Sequence, residues 1–244
     1  MIDKFLNILD SSVSECSGDE VTTEGSSNII VESIDQQGNA NFGLSALTEL
    51  TIPYSFSVPT DKTITISGDS GLLDLGGVLT FQDGSQFILN SGGSEVRGIF
   101  EFEENNILDV QQSADFQSSI SIWNNSQIKI DESADLRFLD NQLKTQGNLT
   151  KTGGTISFDN VSWSLLENTS FTSDSAVEVS TLNLNNYELT LGSVNSDLSV
   201  EDNITFDSSS EKILAGSATL TLEGNFVMSD GEVSSSGGIV FLEK

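Results

Sequence analysis

Residues 175–195 read SAVEVSTLNLNNYELTLGSVN and contain three short alternations of apolar and polar residues, at 177–179, 182–184 and 189–191. Serine, asparagine and glycine residues separate these alternations. Alternation with a period of two is typical of a β-strand with one buried face, and the separating residue types favour turns. The stretch therefore predicts three short strands joined by polar corners.

The same layout recurs about every 21 residues from about residue 70 onward. Regular units open at residues 113, 133, 154, 175, 196, 217 and 238, after two less regular units that open near 70 and 93. A fixed period of this length is typical of a solenoid, in which each unit buries its apolar face against its neighbours. Because three strands per unit can pair with those of the next unit, the repeat predicts an all-β, right-handed parallel β-helix.

The repeat divides the chain into two predicted parts. Residues 67–244 form the β-helix of about eight to nine coils, and residues 1–66 form an N-terminal cap with irregular first coils. Within the cap, residues 2–9 have the apolar spacing of a helix that covers the end of the solenoid. Residues 29–66 carry strand-like pieces that fit either irregular coils or a separate capping subdomain.

Stacked coils place similar side chains above one another, so the repeat also predicts columns in the core. We expect one column along the second strand, and it contains Phe102, Trp123, Trp163, Leu184, Phe206 and Met228. Both tryptophans are interpreted as core residues.

Charge and composition limit the classes of partner. The chain has 37 acidic and 9 basic residues, a net charge of −28, no histidine and one cysteine, Cys16. Such a balance argues against binding to nucleic acid and to anionic membranes, and no apolar run is long enough for membrane insertion. A strongly acidic surface without internal disulfides favours an extracellular or cell-surface protein in a salty medium.

The best candidate binding residues are the two arginines and two nearby aspartates. Arg97 and Arg137 lie two repeats apart on the first strand of their units, and Asp115 and Asp135 are expected to stack beside them. A salt-bridged surface explains the same residues. Because no catalytic constellation is recognisable, we expect no enzymatic activity, and a glycan-active or glycan-binding β-helix is the alternative.

No cofactor is expected from the residue types present. The acidic corner formed by Asp115, Asp135 and the pair Asp131-Glu132 offers oxygen ligands that suit a structural Ca²⁺ ion. Zinc and iron sites need histidine or several cysteines, which the sequence lacks.

The last residues begin a further coil. Ile239, Val240, Phe241 and Leu242 form an apolar strand, and no polar cap follows it. This strand is an expected assembly edge, either for a second copy of the chain or for the continuation of a longer one.

Together, the period, the three-strand layout, the polar corners and the scarcity of cysteine resemble known bacterial repeats. Residues 70–244 are similar in these respects to the β-helical regions of filamentous-haemagglutinin-type exoproteins and autotransporter passenger domains. The resemblance is architectural and carries over no binding residue. It implies a surface-displayed stalk or adhesin, with self-association or a glycan or host-surface ligand as its partner; the alternative resembles polysaccharide lyases or phage tailspikes.

Overall fold

The computed structural model describes residues 16–17, 20–22, 28–30, 39–44, 49–69, 71–139, 142–192, 195–202 and 204–241. The predicted helix over residues 2–9 and the edge residue Leu242 lie outside these ranges. The described part of the chain is all-β. Its strands are β1 Cys16–Ser17, β2 Glu20–Thr22, β3 Asn28–Ile30, β4 Ala40–Leu44, β5 Glu49–Ile52, β6 Phe56–Val58, β7 Thr63–Gly68, β8 Leu72–Phe81, β9 Gln86–Ser91, β10 Ser94–Phe102, β11 Ile107–Val110, β12 Ala114–Ile122, β13 Ser126–Leu139, β14 Gln142–Asp159, β15 Ser162–Ser173, β16 Val177–Val179, β17 Thr181–Asn183, β18 Glu188–Leu191, β19 Leu198–Val200, β20 Ile204–Phe206, β21 Lys212–Leu214, β22 Thr219–Leu222, β23 Phe226–Met228, β24 Glu232–Ser234 and β25 Gly238–Phe241.

Parallel pairing of each strand with its equivalent in the next coil confirms the predicted β-solenoid. Among the described strands, only β1 and β2 pair in the antiparallel direction. The sequence separation of paired residues varies around the predicted period of about 21. It is 19 residues between Trp163 and Leu182 and 24 residues between Glu188 and Lys212. The three alternations in residues 175–195 become β16, β17 and β18, as expected.

The coils present three flat faces. The first face consists of β3, β5, the opening parts of β8, β10 and β12, the closing parts of β13 and β14, and then β16, β19, β22 and β25. The second face consists of β6, the closing parts of β8, β10 and β12, the opening parts of β14 and β15, and then β17, β20 and β23. The third face consists of β2, β4, β7, β9, β11, the opening part of β13, the middle of β14, the closing part of β15, and then β18, β21 and β24.

The third face is continuous, whereas the other two are interrupted. In the described residues, no backbone ladder joins β14 to β16 on the first face or β17 to β20 on the second face. The third face crosses these levels without a break. Residue 66, the predicted end of the cap, lies within β7, which pairs with β4 on one side and β9 on the other. One rung every ~4.8 Å gives this face a length of about 48 Å along the axis.

Buried aromatic side chains fill the middle of the solenoid. Phe116, Phe138 and Phe158 occupy equivalent positions in three successive coils of the first face. Their ring centroids are 5.5 and 5.1 Å apart, within the range of favourable aromatic pairs. Phe81 and Phe102 stack in the same way on the second face, at 4.6 Å. The apolar core therefore continues from coil to coil.

The predicted second-strand column is wrong in its membership. Phe102 pairs with Ile122, whereas Trp163 pairs with Leu182 and lies one inward position earlier on its strand. Trp123 follows Ile122 at the start of a corner and is only partly buried. A fixed period cannot place these residues, because the corners differ in length from coil to coil.

One corner contains a buried polar column instead of apolar residues. Ser85, Asn106 and Ser126 precede paired residues of β9, β11 and β13 and therefore stack directly. The Nδ2 of Asn106 donates to the carbonyl oxygen of Phe81 at 2.9 Å, and its Oδ1 accepts from Ser85 Oγ at 3.2 Å. Its backbone N–H donates to Ser126 Oγ at 3.3 Å. Since Asn106 is fully buried, these bonds offset the cost of removing its amide from water.

Replacing Asn106 by alanine should lower the free energy of unfolding by about 1 to 2 kcal/mol, because Ser85 Oγ and the Phe81 carbonyl each lose a buried partner. Urea unfolding followed by circular dichroism measures the change. Glu104→Ala, at an exposed position of the same corner, should stay within about 0.5 kcal/mol of the wild type. Equal effects of the two substitutions would contradict a structural role for the column.

Candidate functional site

The two arginines lie on the first face, and each has its own carboxylate. Arg97 Nη2 lies 2.6 Å from Glu95 Oε1, and Arg137 donates from Nε and Nη2 to both carboxylate oxygens of Asp115. In the ladders Arg137 pairs with Asp115 and Asp115 pairs with Glu95, so Arg97 is displaced two residues along the strand. The structure therefore places two separate surface ion pairs there, each contributing about 0 to 1 kcal/mol.

The expected stack of Asp115 on Asp135 is replaced by a stack of Asp115 on Arg137. Residues 131–134 of one coil stand opposite the single residue Gly154 of the next coil. Towards the preceding coil, the five residues 131–135 stand opposite the three residues 111–113, which shifts the first-face register by two relative to a strict repeat. The side chains of Asp131 and Glu132 lie in this bulge rather than in a regular stacked corner.

Asp135 lies beside the Arg137 ion pair and accepts a hydrogen bond from Thr155 Oγ1. The hydrogen bond and charge of Asp115 raise the pKa of Arg137, and the charges of Asp135 and Asp159 act in the same direction, against a smaller effect of burial. Arg137 is therefore fully charged at any ordinary pH, and it is neutralised locally by its acidic neighbours.

The predicted assembly edge is the outer strand of the described part of the first face. β25 pairs with β22 on one side. Val240 is 41% exposed and Phe241 is 57% exposed, while Ile239 is partly buried against the core. On the neighbouring face, Val227 and Met228 of β23 are 52% and 41% exposed. Met228, Ile239 and Phe241 continue inward columns, whereas Val227 and Val240 lie at outward positions of the same last described coil. We call these five side chains the apolar end surface.

A buried lysine lies in the corner between the third and first faces. The Lys151 side chain is completely inaccessible to solvent. Its Nζ donates to the carbonyl oxygens of Gly153 and Gly154 at 2.8 and 2.6 Å. It also lies 2.7 Å from Asp174 Oδ1 and 2.8 Å from Ser175 Oγ. Every N–H of the ammonium group thus finds an acceptor, as a buried charge requires.

Lys151 is not among the candidate site residues predicted from the sequence, although the sequence contains a signal for it. In the third-face ladder, Lys151 pairs with Ile128 on one side and Ser173 on the other. A lysine at an inward position of an alternating strand is unusual, because lysine is rarely buried without a partner. The signal in the sequence is therefore a charged residue at an inward position of the alternation.

Asp174 holds this lysine from the solvent side. Burial by itself raises the pKa of Asp174, but the hydrogen bonds from Lys151 Nζ and the Gly153 N–H outweigh it and hold the pKa below the ordinary aspartate value. The Gly153 N–H donates to Asp174 Oδ2 at 2.6 Å. With its side chain 44% exposed, Asp174 connects the buried ammonium group to the surface.

Directly after this corner, a cleft of about 600 Å³ opens on the first face. It extends over β14, β16, β19 and β22, and it includes the place where no ladder joins β14 to β16. Ile156 and Phe158 line it and are the most exposed of the buried apolar residues, at 7% and 8%. The interrupted ladder therefore brings the end of the aromatic column close to the surface.

Carboxylates surround this apolar floor. Asp159, Glu178, Asp197 and Glu201 line the cleft, together with the hydroxyl groups of serine and threonine residues. No lysine or arginine is among the lining residues described by the structure. Arg137 pairs with Ser157, which lines the cleft, but its guanidinium extends in the opposite direction to Asp115.

Within the described ranges, no group of three or more histidine, cysteine, aspartate or glutamate side chains is arranged to hold a metal ion. The predicted Ca²⁺ ion stays a prediction. In the same part of the chain, no helix has the length and apolar character needed to cross a membrane.

The coils, the three faces and the parallel ladders define this protein as a parallel β-solenoid. In comparisons with known protein families, curated proteins and solved structures, nothing matched the chain. Its function must therefore be argued from its own geometry.

Proposed function

We propose that this chain is a non-catalytic structural or adhesive rod, displayed outside the cell or on its surface. The observation that carries the proposal is the continuous third face, which runs from β2 to β24 above an unbroken apolar core. Backbone ladders and side-chain stacks fix each coil to the coils on either side. The solenoid as a whole therefore transmits force along its axis. The resemblance to filamentous-haemagglutinin-type exoproteins and autotransporter passenger domains supports the same role.

The charge of the chain supports a location in a salty medium. A net charge of −28 on 244 residues opposes non-specific association between copies, and salt screens this repulsion over about 8 to 10 Å. A long acidic solenoid therefore stays soluble while its faces remain accessible to a partner.

The apolar end surface is proposed to pair with a second copy of the chain. β25 and β3 are the outermost described strands of the first face, at opposite ends of the same column. Parallel addition of β25 to β3 of another copy would continue the ladder and cover Phe241. At the β3 end of the solenoid, antiparallel β1 already covers β2 on the third face. The contact would thus rest on the first face and be head-to-tail, which generates filaments if it does not close.

Sedimentation velocity and negative-stain microscopy test this assembly, at low and high salt and with and without millimolar Ca²⁺. We expect the wild type to form filaments or large ordered assemblies at high protein concentration, more readily at high salt because the acidic copies then repel less. Phe241→Glu, which places a charge on the apolar end surface, should shift the protein to monomers.

A matched control separates the end surface from a general loss of apolar area. Tyr54 is 62% exposed in the turn between β5 and β6, and Tyr54→Glu makes a comparable change there. This variant should assemble like the wild type. Monomers of the wild type under every condition, or equal loss of assembly in both variants, would refute pairing through the end surface.

A further inference from the structure

We propose that the cleft on the first face binds an extended lysine- or arginine-rich peptide segment of a partner protein. This binding site is separate from the apolar end surface. Binding of a partner there would be a function additional to the structural role. The proposal rests on the shape of the cleft, its apolar floor and the sign of its charge.

The shape of the cleft suits a peptide rather than a single ion. A volume of about 600 Å³ lies within the range of about 300 to 1,000 Å³ that is typical of ligand sites. Since β14, β16, β19 and β22 lie side by side, the cleft spans three rung spacings, or about 14 Å along the axis. A segment of several residues can occupy this length.

The floor and the rim match the two parts of a basic side chain. Lysine and arginine carry an apolar stem and a charged head, and they bury the stem while the head stays in a polar environment. Ile156 and Phe158 offer apolar contact to the stems, and the exposed carboxylates of Asp159 and Glu178 lie at the rim. The combination is specific for amphipathic cations, because a wholly polar ligand would make no use of the floor.

The hydroxyl groups of the cleft can form hydrogen bonds with a peptide backbone, and they do not discriminate between cationic sequences. Ser157, Ser199, Thr219 and Thr221 line the cleft, and hydroxyl groups both donate and accept hydrogen bonds. Anionic ligands such as nucleic acid or acidic glycans would meet the carboxylates and be repelled. The electrostatics therefore select a positively charged partner, and the surrounding negative field also increases its rate of association.

The experiment measures fluorescence anisotropy of a labelled pentalysine peptide with the full chain at low salt. We expect saturable binding by the wild type, and about tenfold weaker binding by the double variant Asp159→Asn/Glu178→Gln. Ser157→Arg, which places a cation in the cleft at an outward position of β14, should abolish saturable binding. Pentalysine with acetylated side chains should not bind, because acetylation removes the positive charges although it keeps the apolar stems.

A matched double variant distinguishes a site from diffuse attraction to an acidic protein. Glu104 and Glu167 are exposed in the corners between the second and third faces, and Glu104→Gln/Glu167→Gln removes the same two charges away from the cleft. This variant should bind within about twofold of the wild type. Equal weakening by the two double variants, or absence of saturable binding by the folded wild type, would overturn the proposal. The unfolding midpoints of all variants show that each is folded.

Discussion

Replacing Lys151 by alanine should lower the free energy of unfolding by about 3 to 5 kcal/mol. The substitution removes a completely buried side chain and leaves a cavity. It also deprives the part-buried carbonyl oxygens of Gly153 and Gly154 of their charged donor, and a buried polar group left without a partner costs about 1 to 3 kcal/mol. Asp174 contributes less to this cost, because its half-exposed carboxylate returns to water.

Two further variants separate the parts of this effect. Lys151→Met keeps most of the apolar stem and loses the ammonium group, so we expect an intermediate loss of about 2 kcal/mol. Lys129→Ala, at an exposed position of the preceding coil, should stay within about 0.5 kcal/mol of the wild type. Urea unfolding followed by tryptophan fluorescence reports on this region, because Trp163 is buried in the next coil. A Lys151→Ala midpoint equal to that of Lys129→Ala would show that the buried network contributes nothing.

The same network makes a defined contribution to acid stability. The pKa of Asp174 is lower in the folded chain than its ordinary value, so its contribution is complete above about pH 4 and is lost as the pH falls through the lowered pKa. Protonation of the many other carboxylates acts on the wild type and on Asp174→Asn alike. The difference in unfolding midpoint between these two proteins should therefore shrink between pH 6 and pH 3.

The architecture follows from local chemistry that a sequence displays directly. Alternation in 175–195 specifies which side chains enter the core, and the Ser, Asn and Gly corners specify where the chain turns. Each coil contacts mainly its neighbours, so the pattern of residues within one repeat determines most of the packing. This is why the three strands and the parallel stacking were predictable.

Register was not predictable to the residue, because it depends on corner length. Residues 131–134 stand opposite Gly154 alone. A fixed period assumes corners of equal length, so it assigns residues beside this corner to the wrong ladder partners. The ion pair of Arg137 with Asp115 follows from the true register. The cleft depends on an interrupted ladder, which arises from the packing of two adjacent coils and has no signature in either coil by itself.

Gly153→Ala should destabilise the chain by more than about 4 kcal/mol, which is a large effect for a single methyl group. Gly153 has a φ angle of +87°, and a Cβ there would lie 1.6 Å from the carbonyl oxygen of Ile130. Because Ile130 is its ladder partner in the preceding coil, relief of this overlap requires the two backbones to separate. That separation would also displace the Gly153 carbonyl from Lys151 and its N–H from Asp174.

Gly216→Ala is the matched control for backbone strain. Gly216 also has a positive φ angle, +56°, but a Cβ there would lie 3.6 Å from the carbonyl oxygen of Leu191, which is an ordinary contact. We therefore expect only the cost of a left-handed conformation, about 1 to 2 kcal/mol. Urea unfolding of the two variants separates steric overlap from conformational strain. Equal losses would mean that the coils at Gly153 can move apart freely, which would contradict the tight corner that holds Lys151 and borders the cleft.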